Sequence, residues 1–216
     1  DPLEDRAANE RQTWLDRLLE IIEIQQRGMP HRTRLLATGL PDCAPGSVVD
    51  RFDRLVVLLS ALPEAHPSKL SESDRLQLSE ARSSIAEAAE ILLDGPLGSS
   101  WQHGDAHMRN VFRVRDKVRV FDFGDSQWAH VLESLVVPYS IVSEEHPDWW
   151  RQISEVCAGQ WGVSRGEFNE SWTAARRTQA VNRASTWHAV SEDISAESWA
   201  QWAPHAREHL MRSVHV

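Results

Sequence analysis

The chain has 216 residues, 41% of them hydrophobic, and a formal net charge of −9. That length allows one large domain or two small ones around a real core, and the acidic balance argues against a nucleic-acid-binding protein, which presents a basic face. No run approaches the roughly 18 consecutive apolar residues of a membrane-spanning helix, and the two cysteines, Cys43 and Cys157, fit reduced thiols in a cytoplasmic protein.

Apolar positions Trp14, Leu15, Leu18, Leu19, Ile21 and Ile22 recur at helical spacing, predicting a helix over 9–26 that Gly28 and Pro30 stop. A second helix is expected over 47–62, through Phe52, Leu55, Val56, Leu58 and Leu59, with Pro63 and Pro67 breaking it. Ser71 with Asp74 forms a capping box for a third helix running to about Leu93, which Gly95 and Pro96 end. Val111-Phe112-Arg113-Val114 and Val118-Arg119-Val120-Phe121 alternate apolar and charged residues around the turn Arg115-Asp116-Lys117, a hairpin pattern. Everything beyond the Asp-Phe-Gly at 122–124 reads helical. Ser164 and Glu167 box the start of a helix to about Val190, another covers 196–202, and Pro204 opens the last. The pattern gives a mainly α fold with one small β-hairpin, expected as a single domain over 1–216.

Two segments carry chemistry. His103-Gly104-Asp105-Ala106-His107-Met108-Arg109-Asn110 places an Asp and an Asn with four residues between them, and Phe121-Asp122-Phe123-Gly124-Asp125 ends a hydrophobic strand in Asp-Phe-Gly. Phosphoryl transfer needs a carboxylate to orient a hydroxyl and take its proton, together with hard oxygen ligands for magnesium. Asp105 suits the first task, and Asn110 and Asp122 suit the second. The hairpin between the segments brings its two outer ends, Asn110 and Asp122, close together, so spacing and hairpin support each other. His103 reads as a buried histidine bonded to the loop backbone. His107 reads either as a cation near a transferring phosphate or as an exposed loop residue. Asp125 supports the loop from behind. A transition-metal centre on His103, Asp105 and His107 is disfavoured, because Gly104 and Ala106 are poor strand residues and no distant His-rich segment stands out.

At these residues the chain resembles the aminoglycoside phosphotransferase and choline kinase group, relatives of the protein kinases. Members usually read His-Gly-Asp-x-His-Pro-Gly-Asn; here Met108-Arg109 replaces Pro-Gly, leaving the acid, the second His and the Asn in place. The resemblance implies the helical C-terminal lobe of a kinase-like fold, with Asp105 as base and Asn110 and Asp122 as Mg2+ ligands. It further implies ATP or GTP as donor and a small-molecule hydroxyl as acceptor: an aminoglycoside or other antibiotic, an amino alcohol, or a sugar.

Such a kinase also needs a strand lysine and a Gly-rich loop over the nucleotide. The two lysines, Lys69 and Lys117, lie in neither context, and no phosphate-cradling glycine pattern is present. The N-terminal nucleotide lobe is therefore expected to be absent from this chain. The alternative is a non-catalytic small-molecule-binding protein on a kinase-derived fold. Of the 10 tryptophans, eight lie at or after Trp128. They suit core packing, or a pocket that stacks on sugar rings or holds ammonium groups.

Overall fold

The computed structural model describes residues 11–115, 117–193 and 198–216. In chain order it contains helices α1 (Arg11–Gly28), α2 (Arg32–Leu36), α3 (Val48–Ala61) and α4 (Glu72–Asp94), then strand β1 (Ser99–Gln102). The hairpin β2 (Val111–Val114) and β3 (Lys117–Val120) follows, then strand β4 (Gln127–His130). Helices α5 (Val136–Glu145), α6 (Trp149–Trp161), α7 (Arg165–Asp193), α8 (Trp199–Trp202) and α9 (His205–Arg212) complete it. The chain is mainly helical, as its periodicity implies. Contacts group it into two compact units: residues up to Asp42 with Gly95–Ser171, and Cys43–Asp94 with Trp172–Val216.

In the first unit α1 buries Trp14, Leu18, Ile21 and Ile22 and packs on β1, β3 and α6. The helix runs through Gly28; Pro30 then sits in the 3₁₀ turn Met29–His31, where its missing N–H costs nothing, and α2 follows. The sequence reading is corrected at β1 and β4, where it expected no strands and helix throughout beyond Asp-Phe-Gly. These strands pair antiparallel, Ser99 opposite His130 and Gln102 opposite Gln127. Every residue of β4 is buried, so its sequence shows no alternation to betray a strand. Gly162, left-handed at φ 73°, closes α6 by donating its N–H to Ala158 and Gly159, and Val163 bonds back to the same Ala158 carbonyl.

The hairpin forms one residue earlier on its second strand than expected. Lys117 pairs with Val114, and Val111 pairs with Val120. Arg115 takes a left-handed φ of 47°, which lets the chain reverse in two residues.

In the second unit α3 contributes Phe52, Leu55 and Leu59 to a core shared with Leu78 and Ile85 of α4, Val181 of α7 and Leu210 of α9. The capping boxes form as read. Ser71 N–H donates to Asp74 Oδ2 and Asp74 N–H to Ser71 Oγ, and the same exchange links Ser164 and Glu167. Of the helix expected over 196–202, Trp199–Trp202 is helical and 194–197 lie outside the described residues.

Candidate active site

Two short ladders, both in the first unit, frame the site. β1 ends at Gln102 beside Gln127, the first residue of β4. The His103–Asn110 loop and the Phe121–Ser126 loop therefore leave the same end of the β1–β4 ladder and run to the two strands of the β2–β3 hairpin. The loops touch most closely at Gly104. Its φ is +81°, and a Cβ there would lie 2.0 Å from the Asp125 carbonyl oxygen. Only glycine fits both the left-handed backbone and this approach. The Asp125 backbone is thus the surface that Gly104 packs against.

His103 is fully buried. Its Nδ1 accepts the Asp105 N–H at 3.3 Å, so the proton sits on Nε2, 2.8 Å from the Phe121 carbonyl that accepts it. One imidazole therefore ties the two loops together in its neutral form. Burial, aided by the positive charge of Arg17, holds its pKa below the usual histidine value, against the opposing pull of the Phe121 bond and of Asp105 and Asp122. Trp101 and Phe123 pack around the ring, centroids 6.2 and 5.3 Å away.

Asp105 and His107 form a pair. His107 Nε2 lies 3.2 Å from Asp105 Oδ2, with both side chains 30% exposed. His107 Nδ1 accepts the Arg109 N–H at 3.1 Å, which makes Nε2 the donor to the carboxylate. Of the two roles open to His107 in the sequence, neither anticipated this contact. The Asp105 carbonyl accepts the His107 N–H at 3.0 Å and the Asn110 side-chain amide at 2.9 Å. The amide nitrogen of Asn110 is thereby committed, and its oxygen is the atom suited to a cation.

The hairpin brings Asn110 beside the residue that precedes Asp122: the Phe121 N–H donates to the Asn110 carbonyl at 3.1 Å, continuing the ladder. Asp122 is exposed and left-handed at φ 62°, a conformation that Asp tolerates better than most residues. An amide oxygen and a carboxylate are hard donors of the kind magnesium takes, so the residues fit that ion. His103, Asp105 and His107 do not converge as ligands, and among the described residues no group of three or more His, Cys, Asp or Glu is placed to hold a metal.

Sequence reasoning missed Arg17. It lies on α1 with its side chain wholly buried, its guanidinium 4.9 Å from the Trp14 ring and its Nη1 donating to Met108 Sδ at 3.3 Å. A signal existed: Arg17 falls three residues after Trp14 and four before Ile21, inside the apolar stripe.

The family model described as the phosphotransferase enzyme family matches residues 33–156, a stretch that contains both loops and the hairpin. No curated protein sequence matches the chain. Among solved structures, an ethanolamine kinase from Plasmodium vivax superposes with a TM-score of 0.59 at 12% identity, covering 99% of this chain and 61% of that one. That likeness is one of fold, and this chain spans about three fifths of the kinase's length.

Proposed function

The chain belongs to the phosphotransferase enzyme family, and from that premise we propose that it carries the acceptor-side catalytic loop of a small-molecule kinase. The reaction moves the γ-phosphate of ATP or GTP to a hydroxyl on an amino alcohol, a sugar, or an aminoglycoside or other antibiotic. One observation supports the reading: the β2–β3 hairpin joins the loop that carries Asp105 and Asn110 to the loop that carries Asp122, and the Phe121 N–H bonds the Asn110 carbonyl.

In this proposal Asp105 orients the acceptor hydroxyl and takes its proton as the new O–P bond forms and the bond to the leaving nucleoside diphosphate breaks. His107 donates to one carboxylate oxygen and so fixes how Asp105 presents itself. His103, locked to Phe121, holds Asp105 in register with the metal-side loop, and Gly104 against Asp125 sets the spacing between the loops. Asn110 and Asp122 hold magnesium, which when bound offsets charge on the phosphates. Neither Lys69 nor Lys117 is given the nucleotide-gripping role in this reading. A cytoplasmic location suits the nucleotide donor and the buried free thiols Cys43 and Cys157.

The test is turnover of ATP and GTP by the full-length protein over a panel of hydroxyl acceptors. Asp105→Asn is expected to lower kcat by about 10²–10⁴ with nucleotide affinity little changed. Asp122→Ala is expected to abolish magnesium-dependent nucleotide binding. Retained turnover in the first variant removes Asp105 as the base, and unaltered binding in the second removes Asp122 from the metal site.

A further inference from the structure

Arg17 has no place in the chemistry just described, yet its position is unusual. A guanidinium carries five donors and is rarely buried unless it is paired. Here the side chain is completely covered, Nε and Nη2 have no hydrogen-bond partner, and the polar contact made by Nη1 is the thioether of Met108. Burial lowers the guanidinium pKa to about 9, and the Asp105 carboxylate acts against that shift, so the two groups feel each other's charge. An apolar side chain would fill the same space beside Trp14 without desolvating a cation. The partner is informative as well. Met108 is itself 7% exposed, in the turn between Asp105 and Asn110.

We propose that Arg17 is a positioning residue for the catalytic loop. It grips Met108 from α1 and holds a buried positive charge against the turn that separates Asp105 from Asn110. Within the loop the charge of Arg17 acts on Asp105 and His103. The inference rests on the phosphotransferase reading for its consequence in turnover, but the structural claim can be measured apart from it.

Two measurements separate the claims. The first is amide hydrogen exchange on this chain, read at Asp105, His107, Arg109 and Asn110, whose N–H groups all bond within the loop. In Arg17→Met and in Met108→Leu these amides are expected to exchange about tenfold faster, with the α6 amides unchanged. The second is steady-state kinetics of the full-length protein. Arg17→Met is expected to lower kcat by about 10- to 100-fold with KM held within about twofold, and Arg17→Lys, which keeps the cation, to recover much of the loss. If Arg17→Met does not fold, Met108→Leu and Arg17→Lys carry the test. Loop exchange at the wild-type rate in Met108→Leu overturns the grip, and a lysine variant no better than the methionine variant overturns the role of charge. Faster loop exchange in a protein that transfers no phosphate would sink the phosphotransferase reading and leave the positioning role standing.

Discussion

Replacing Gly104 by alanine attacks the point where the two loops meet. The new methyl group would sit 2.0 Å from the Asp125 carbonyl oxygen, 2.8 Å from its carbon and 2.9 Å from the Asp125 Cβ. All of these are backbone or near-backbone atoms, so no side chain can swing aside. Ordinary carbon–oxygen contact lies near 3.2 Å or more, and one loop must retreat by about 1 Å. Left-handed alanine adds about 1–2 kcal/mol on its own. The matched control is Gly162→Ala, with a similar φ of +73° and nothing within 4 Å of the added Cβ. It carries the backbone strain without the collision. Urea denaturation of both variants should show Gly162→Ala losing about 1–2 kcal/mol and Gly104→Ala losing about 2 kcal/mol more, in line with overpacking. In the proposed phosphoryl-transfer reaction the displaced loop should also lower kcat by about 100-fold, the expected penalty of a 1 Å misplacement. Equal destabilisation of the two variants would refute the close approach of Gly104 to Asp125, and with it the register of the two loops.

Acidification supplies another prediction. His130 is 1% exposed, bonds the Leu97 carbonyl through Nε2, and has its pKa pushed down to about 4 by burial. The unfolded chain binds this proton near pH 6.5 and the folded chain does not, so stability falls as the pH drops from 6.5 towards 4. By pH 4.5 the loss from this one group is about 2–3 kcal/mol. A His130→Gln variant should show a shallower fall in urea midpoint over that range; parallel curves would count against it. In the second unit Asp74 caps α4 and takes a bidentate pair of 2.9 Å bonds from Arg207. Despite the upward pull of burial, those bonds and the Ser71 bonds hold its carboxyl below the usual range. Asp74→Ala should cost about 2 kcal/mol, combining a lost cap with a charge left unpaired, and thermal melting unchanged from wild type would contradict it.

The local rules settled much of this protein from sequence alone. α1 and α3 follow from apolar spacing, and the serine–carboxylate boxes at Ser71 and Ser164 set the starts of α4 and α7, because helix signals lie within a few residues of one another. The hairpin and the loop spacing from Asp105 to Asn110 to Asp122 were legible for the same reason. Tertiary structure decided what depends on distant partners. β1 and β4 are four residues each, polar in part and separated by the whole site, so their pairing leaves no periodic trace. The one-residue shift of β3 turned on a left-handed Arg115, which propensity alone does not announce. The bond from His107 to Asp105, the approach of Gly104 to Asp125 and the burial of Arg17 all arise from where folded segments meet. A charge or a glycine carries no mark of its surroundings in the sequence; burial and close contact assign its role only after the chain has closed around it.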